Sequence, residues 1–561
     1  MPPRFDAIVI GSGITGGFAA KELTELGLRV LVLEAGGPVD PARDYVEHVQ
    51  PWEQPFRGWG DRARLEREQP IQMECYACDE WSGKFFVNDL ENPYTTPDDK
   101  PFSWIRGRQV GGRSITWGRQ VYRWSDLDFE ANARDGHGVD WPIRYRDIAP
   151  WYDHVERFIG VSGKAEGLDQ LPDGQFLPPM EFNCAESHVR EKLLQAFSGE
   201  RVLTIGRCAI LTADHNGRAA CHYCGTCERG CLTLSYFSSL NATLPAAAKT
   251  GRLTLRPWSV VESILYDPPS RRATGVRVID ANTREVLEFK ARIVFLCAST
   301  LESTRILLNS RSRDFADGLA NSSGVLGRYL MDHHMGHGAR GTIPGYEDHA
   351  TYGSRPNGIY LVRFRNVKDQ HPDFLRGYAF QGGAWRSGWD RGQEMTGFGA
   401  AFKQSLLREQ GPWQMSLYGF GEMLPSAENY AELDPEVKDK WGIPALRIHC
   451  AYGDNEKAQW KDAIATATEM LEAAGAKEIK PTDNDVTPGL VIHEMGTARM
   501  GRDPKTSVLN GWNQAWDVPN LFLTDGACMA STANQNPSIT YMALTARACH
   551  HAVELMKRRE L

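Results

Sequence analysis

The chain has 561 residues, of which 42% are hydrophobic and 24% charged, a composition typical of a globular protein with a large core. Its 63 Lys and Arg residues against 71 Asp and Glu residues give a net charge of −8 without charged blocks, which argues against binding to nucleic acid or to an anionic membrane. No apolar run approaches the roughly 18 residues of a membrane span, so we expect no transmembrane segment.

The first predicted unit, "DAIVIGSGITGGFAAKELTELGLRVLVLEAGG", is a strand, a helix and a second strand (Arg29 to Leu33) that ends at Glu34. Three glycines link the first strand to the helix: Gly11, Gly13 and Gly16. They allow a tight turn and the close approach of a pyrophosphate to the helix N-terminus, while Glu34 is placed to accept a hydrogen bond from a ribose. The acidic residue disfavours a 2′-phosphate, so the unit predicts binding of NAD or FAD.

Four of the twelve cysteines lie in the run "CHYCGTCERGC": Cys221, Cys224, Cys227 and Cys231. The chain enters its first predicted strand almost at once, so we expect no signal peptide and a reducing cytoplasm as the place of folding. In that compartment such a run favours a metal over disulfides. Zinc usually takes two separated C-x2-C halves, whereas one continuous loop is typical of an iron–sulfur cluster. The run therefore predicts a cluster, with zinc as the alternative. Cys75 and Cys78 in "CYAC" are interpreted as ordinary thiols in a loop.

Later segments predict further strands and a helix. Residues 252–298 alternate like antiparallel strands, and residues 354–424 are rich in aromatic residues and glycine, as expected of a sheet that covers a substrate. Residues 456–476 have apolar residues at helical spacing and end near Gly475.

Three stretches carry a resemblance to a known family: "GRQVGGRSITWGRQ" (107–120), "NSSGVLGRYLMDHH" (321–334) and residues 493–548, which begin "HEMGTARMG". The chain resembles the glucose-methanol-choline (GMC) oxidoreductases, flavoenzymes that oxidise alcohols. The resemblance implies an α/β fold with an FAD-binding Rossmann-like domain and a sheet-based substrate-binding domain. The implied FAD domain is discontinuous and comprises residues 1–45, 100–150, 250–333 and 490–561. The substrate domain comprises residues 46–99, 151–249 and 334–489, with the cysteine loop at 221–231.

The resemblance also implies site residues. His493 matches the catalytic base, a role that suits histidine because its ordinary pKa of about 6.5 lies near working pH. Asn536 matches its partner and is preferred to Asn534, which lacks the following proline. The implied FAD contacts are Gly112, Ser114, Val261 and Asp525. Thr116 stands where some members attach FAD through histidine, so non-covalent FAD is expected. His333, His334, His550 and His551 are interpreted as helix-end or surface residues.

Family members with a similar cysteine-rich insert are bacterial sugar dehydrogenases that pass electrons from flavin to an iron–sulfur cluster. Cys221, Cys227 and Cys231 match the ligands of a [3Fe-4S] cluster, and Cys224 could complete a [4Fe-4S] cluster; both alternatives stay open. This run, together with "FQGGAW" (380–385), is most similar to glucoside 3-dehydrogenases. Gln381 is then a candidate substrate contact, or else a strand residue that faces solvent.

The expected function is oxidation of a sugar secondary alcohol at C3 of a glucoside. The alternatives are a C1 aldose or polyol dehydrogenase, a sugar oxidase that uses oxygen, and a non-catalytic flavin electron-transfer subunit. The expected partners are a small subunit with a twin-arginine signal and a cytochrome c or other acceptor, with no nucleic acid. We expect the chain to fold in the cytoplasm and to be exported with its partner to the periplasm; the alternative is a cytoplasmic location.

Overall fold

The computed structural model describes residues 5–49, 53, 61–393 and 395–561. Its strands are β1 (Ala7–Ile10), β2 (Val30–Leu33), β3 (Val161–Ser162), β4 (Phe176–Leu177), β5 (Leu203–Ile205), β6 (Leu253–Arg256), β7 (Ser259–Asp267), β8 (Arg272–Asp280), β9 (Val286–Lys290), β10 (Ile293–Leu296), β11 (His334–Ile343), β12 (Ile359–Leu361), β13 (Tyr378–Arg386), β14 (Trp413–Gly421), β15 (Tyr430–Lys438), β16 (Pro444–His449), β17 (Lys477–Asp483) and β18 (Leu521–Leu523). Its α-helices are α1 (Ile14–Glu25), α2 (Pro41–Asp44), α3 (Arg62–Glu68), α4 (Asp126–Phe129), α5 (Ala131–Asp135), α6 (Tyr145–Ile159), α7 (Cys184–Ala196), α8 (Leu244–Lys249), α9 (Thr300–Asn309), α10 (Gly399–Arg408), α11 (Asp454–Ala473) and α12 (Ser538–Lys557).

A parallel sheet with the strand order β18-β10-β1-β2-β6 forms the first layer of the fold. The sequences of β1, β2 and β10 are AIVI, VLVL and IVFL, and every residue in them is buried. Continuous apolar strands of this kind are typical of parallel sheets that are covered on both faces. Helix α1 connects β1 to β2 and packs against α12. The predicted βαβ unit is therefore present, with the second strand one residue shorter than expected.

An antiparallel sheet with the order β17-β11-β14-β13-β12-β5 forms the second layer. Helix α11 packs on this sheet, where Ala463, Ala467 and Met470 join its apolar core. The helix predicted at 456–476 is confirmed, and it ends before Gly475, whose φ of 77° suits the residue after a helix end.

The prediction for residues 252–298 is correct in the middle and wrong at both ends. Strands β7, β8 and β9 form an antiparallel sheet, but β6 and β10 belong to the parallel sheet. Alternation of apolar and polar residues reports which face of a strand is buried and carries no information on strand direction. This explains why the alternation in β6 does not predict its parallel pairing with β2.

The strands of the parallel sheet come from segments 1–45, 250–333 and 490–561, and those of the antiparallel sheet come from segments 151–249 and 334–489. The assignment of these segments to a cofactor domain and a substrate domain stays a prediction, and part of segments 1–45 and 46–99 lies outside the described residues. No helix within the described ranges is long and apolar enough to cross a membrane.

Candidate active site

A cavity of about 480 Å³ lies at the carboxyl end of β1, with residues of β11, β13 and β14 on its other side. In open α/β sheets ligands bind at this end of the strands. The cavity collects most of the residues that the sequence suggested: Gly11, Gly13, Glu34, Gly112, Ser114, Val261, Gln381, His493, Asp525 and Asn536. Their separate roles stay predictions.

The three glycines of the turn differ in their surroundings: Gly13 leaves space for a ligand to approach, whereas Gly11 and Gly16 pack tightly against the backbone. A Cβ on Gly11 would lie 2.4 Å from the Cys297 carbonyl oxygen, and one on Gly16 would lie 2.0 Å from that of Gly11. A Cβ on Gly13 would meet no atom within 4 Å. Gly13 is also the N-cap of α1, and no side chain caps this helix. The first amides of α1 are therefore open to the cavity, which fits the pyrophosphate of a dinucleotide.

Glu34, the predicted ribose contact, is hydrogen-bonded to the glycine turn. Its carboxylate accepts hydrogen bonds from the Ser12 amide (3.1 Å), the Ser12 hydroxyl (2.6 Å) and the Gly36 amide (2.9 Å). Burial raises the pKa of Glu34, and these hydrogen bonds oppose the shift. Its contact with a ribose stays a prediction.

The loop that the resemblance places against flavin contacts the glycine turn directly. Gly112 has a φ of 52°, and a Cβ there would lie 3.0 Å from the Gly13 Cα. The Ser114 hydroxyl accepts a hydrogen bond from the Ser239 amide at 3.0 Å. Thr116 lines the same cavity. A side chain with no nitrogen nucleophile at this position fits non-covalent FAD.

Five residues that line the cavity carry a buried polar atom with no partner among the described residues: Arg106 Nε, Arg108 Nη1, Arg119 Nε, Glu494 Oε1 and the Tyr541 hydroxyl. Buried polar groups of this kind are normally hydrogen-bonded, so they indicate a ligand that carries donors and acceptors. Asp525 also faces the cavity, where burial raises its pKa to about 6. The residues present thus fit a dinucleotide cofactor.

The predicted catalytic pair lies in the same cavity as this cradle. The Gln381 amide nitrogen donates a hydrogen bond to Asn536 Oδ1 at 2.8 Å. Because that oxygen is occupied, the Asn536 NH2 group is left to donate to a substrate oxygen. Asn534 instead donates to the Tyr360 hydroxyl at 3.0 Å and is buried away from the cavity. The alternative in which Gln381 faces solvent is wrong, because Gln381 on β13 lines the cavity.

The interpretation of His333 and His334 as helix-end or surface residues is wrong. Both are fully buried; His333 Nδ1 lies 3.0 Å from His493 Nδ1, and His334 Nε2 lies 3.1 Å from Gln459 Oε1. An antiparallel bridge between Met331 and Met495 places the two segments side by side, which brings His333 opposite His493. His550 and His551 lie half-buried within α12, where His550 contacts Glu22 at 3.1 Å and His551 stacks on Trp512.

The cysteine loop lies behind the cavity. Arg119 lines the cavity and donates a hydrogen bond to the Cys227 carbonyl oxygen at 2.9 Å. Burial raises the pKa of Cys227 to about 12; Arg119 opposes this shift, and Glu228 and the thiols of Cys224 and Cys221 add to it. The four thiols of the loop are free cysteines.

Two side chains at the cysteine loop, those of Glu47 and His222, were not anticipated. Glu47 and His222 lie beside Cys224, with their ligand atoms within 4.8 Å of one another. Cys75 lines the cavity and, like Cys78, is a buried free thiol.

A dinucleotide cradle joined to a histidine and an amide at one cavity defines an oxidoreductase that acts on an alcohol. Family models described as GMC oxidoreductase match residues 5–335 and 425–545. The chain belongs to the GMC oxidoreductase family, and it is an FAD-dependent enzyme that acts on CH–OH groups. The expectations of family, fold and FAD are confirmed.

Curated relatives cover almost the whole chain. It is 30% identical to 2-methyl-1,2-propanediol dehydrogenase of Mycolicibacterium austroafricanum, with 97% of this chain and 94% of the relative covered. It is 25% identical to the fructose dehydrogenase large subunit of Gluconobacter japonicus, with 99% and 98% covered. It is also 25% identical to the gluconate 2-dehydrogenase flavoprotein of Pantoea cypripedii, with 97% and 92% covered.

Solved structures share the fold at lower identity. The pyridoxine 4-oxidase from Mesorbium loti superposes with a TM-score of 0.60 at 17% identity, covering 98% of this chain and 99% of that one. A formate oxidase of Aspergillus oryzae gives 0.63 at 15% identity, with 99% of both chains covered. At these identities the likeness supports the fold alone.

Proposed function

We propose that the protein is a dehydrogenase that oxidises a sugar secondary alcohol, C3 of a glucoside, to the 3-keto-glucoside and passes the electrons through an iron–sulfur cluster to an external acceptor. The observation that carries the proposal is the shared cavity: His493 and Asn536 lie in the same space as the glycine cradle of α1. The cysteine loop is connected to that cavity by Arg119, which lines the cavity and donates a hydrogen bond to the Cys227 carbonyl oxygen.

The residues of the chain divide the work of alcohol oxidation. His493 takes the hydroxyl proton, and burial lowers its pKa well below the ordinary value, so the imidazole is neutral and able to accept it. The Asn536 NH2 group donates a hydrogen bond to the same substrate oxygen and holds its carbon toward the cofactor. FAD, when bound, would supply the acceptor for the hydride that leaves this carbon. Phe420, which packs against His493 with ring centroids 5.6 Å apart, excludes water from one side of the base.

A C3 enzyme must accept sugars whose C1 is blocked, so it has to hold the ring through hydroxyls beside the reacting carbon. Gln381 is suited to this, because its amide nitrogen is fixed on Asn536 and its oxygen remains to accept from a neighbouring hydroxyl. A buried polar group that a wrong sugar leaves unpaired discriminates against that sugar more strongly than an apolar misfit does. The names of two relatives, a fructose dehydrogenase and a gluconate 2-dehydrogenase, support a sugar-type substrate.

The cysteine loop offers the ligands of a cluster. Cys221, Cys227 and Cys231 would hold a [3Fe-4S] cluster, and Cys224 would complete a [4Fe-4S] cluster; zinc is the alternative occupant. The fit rests on four free thiols in one short loop. Burial raises the pKa of Cys221 and of Cys227, and neighbouring thiols add to both shifts: those of Cys231 and Cys224 at Cys221, and those of Cys224 and Cys221 at Cys227. A cluster here would supply one-electron transfer away from the cavity.

A second candidate is a diol or polyol dehydrogenase. It is favoured by the 30% identity to a 2-methyl-1,2-propanediol dehydrogenase. A C1 aldose dehydrogenase of the same family would also use His493 and Asn536. These candidates differ from the proposed function in the carbon that is oxidised, which a product assay reports directly.

The test supplies the FAD-loaded protein with methyl glucoside, sucrose or trehalose and a dye acceptor. We expect the dye to be reduced and the product to show a ketone at C3 by NMR. Turnover of free glucose alone, with the lactone as product, would replace the proposal by a C1 aldose dehydrogenase. Turnover of small diols alone would favour the diol candidate.

We further propose that the chain folds in the cytoplasm and leaves it with a small subunit that carries a twin-arginine signal, to meet a cytochrome c or another acceptor at the cell envelope. One relative is named as a large subunit, which supports a partner chain. Fractionation of cells that produce the protein natively should give activity in the periplasmic or envelope fraction. Activity confined to the cytosol, with the chain alone, would contradict this.

A further inference from the structure

We infer that His333 is a positioning residue that fixes the tautomer of His493, so that the proton of the His493 ring sits on Nδ1 and the lone pair of Nε2 is free to act as the base. The inference rests on the proposed role of His493 as the base. It gives a positioning role to His333, which the sequence analysis interpreted as a helix-end or surface residue. His333 is not among the described residues that line the cavity.

The hydrogen bonds of His333 leave one assignment of its proton. His333 Nε2 lies 2.6 Å from the carbonyl oxygen of Ala533. A carbonyl oxygen only accepts, so His333 Nε2 carries the hydrogen. In a neutral imidazole the other nitrogen is then an acceptor, and full burial keeps His333 neutral by lowering its pKa to about 3.

The contact between the two rings determines which nitrogen of His493 carries the proton. His333 Nδ1 lies 3.0 Å from His493 Nδ1, with the rings nearly perpendicular at 85°. Because His333 Nδ1 accepts, His493 Nδ1 must donate, and it therefore carries the ring proton. His493 Nε2 is left without a proton, which is the state a general base requires.

Contacts around the two histidines hold their rings in this relative position. Asp332 Oδ1 accepts hydrogen bonds from the His333 amide at 2.8 Å and from the His493 amide at 3.0 Å. The Tyr452 hydroxyl donates to the His333 carbonyl oxygen at 2.7 Å. Ile492, directly before His493, has a φ of 69°, a conformation that a β-branched residue adopts only when its surroundings impose it. The relative position of the two rings is thus set by several independent contacts.

The test measures the tautomer directly, by NMR of the FAD-loaded protein labelled with nitrogen isotope in histidine. The signal of His493 is assigned by its loss in His493→Ala. We expect Nδ1 of His493 to be protonated and Nε2 bare in the parent protein. A proton on Nε2 would overturn the inference whatever the variants do, and it would leave the proposed oxidation of alcohols untouched.

Two matched variants test the consequence. His333→Leu removes the acceptor, and one hydrogen bond to the correct tautomer corresponds to a loss of about 2- to 12-fold in kcat/KM together with a mixture of His493 tautomers. His333→Asn places an amide oxygen near the position of Nδ1 and should recover most of the kcat/KM and of the Nδ1 signal. Unchanged tautomer and unchanged kcat/KM in His333→Leu would refute the inference. If that variant does not fold, the parent spectrum and His333→Asn decide it.

Discussion

Replacement of His493 by alanine removes the proposed base and leaves the rest of the cavity in place. The glycine cradle of α1 and the loop at Gly112 are unchanged in this variant, so FAD should stay bound. Asn536 and Gln381 keep their hydrogen bond to each other, so substrate should still bind. The loss is therefore expected in the oxidation step, with KM nearly unchanged.

The size of the loss follows from what the side chain supplies. Removal of a general base typically lowers the rate by a factor of ~10²–10⁴, which corresponds to about 3–5.5 kcal/mol of transition-state stabilisation. The assay is the rate of flavin bleaching by substrate in the absence of oxygen, followed in a stopped-flow instrument.

The matched control is His550→Ala, since His550 lies within α12 beside Glu22 and outside the cavity. This variant should bleach at the parent rate. A His493→Ala protein that retains FAD and bleaches at the parent rate would refute the assignment of the base.

Four further outcomes are expected. Gly13→Ala should fold like the parent, because a Cβ at this position meets no atom within 4 Å. It should lower the affinity for FAD by about tenfold or more, since the methyl group occupies the approach of the pyrophosphate. Thermal unfolding without added FAD measures the first effect, and flavin titration measures the second. Gly16→Ala should instead reduce the yield of folded protein, because its Cβ would lie 2.0 Å from a backbone oxygen. Purified under argon, the protein should contain iron and acid-labile sulfide, and Cys227→Ser or Cys231→Ser should remove the iron while flavin bleaching by substrate is kept; zinc in place of iron would contradict the cluster. Acid precipitation should release all the flavin, because Thr116 cannot form the covalent link, and yellow colour in the pellet would show the opposite.

The βαβ unit and helix α11 could be predicted because the sequence patterns that define them lie within short, continuous segments. A buried strand, spaced glycines and a terminal acid define the first, and helical spacing that ends at a glycine defines the second. The histidine and asparagine of the site followed from motif order, which places His493 and Asn536 in stretches that the family shares.

The contacts between those residues depend on chain segments far apart in sequence. His333 lies 160 residues before His493, and Gln381 lies 155 residues before Asn536, so no local pattern reports that they meet. A bridge between Met331 and Met495 creates the first contact, and the position of β13 over the cavity creates the second. The direction of β6 was missed for a related reason, since its partner β2 is more than two hundred residues away.

The carbon that loses its hydrogen is the most direct measure of the proposed function. Methyl glucoside that carries deuterium at C3 can be mixed with the FAD-loaded protein without oxygen, and the rate of flavin bleaching compared with that of the unlabelled sugar and of sugar labelled at C2 or C4. We predict a several-fold slower rate for the C3 label alone. Only the C–H bond at C3 breaks, as His493 takes the proton of the hydroxyl on the same carbon. Equal rates for all labels with rapid bleaching, a slower rate for a label at another carbon, or no bleaching by methyl glucoside at all would contradict it.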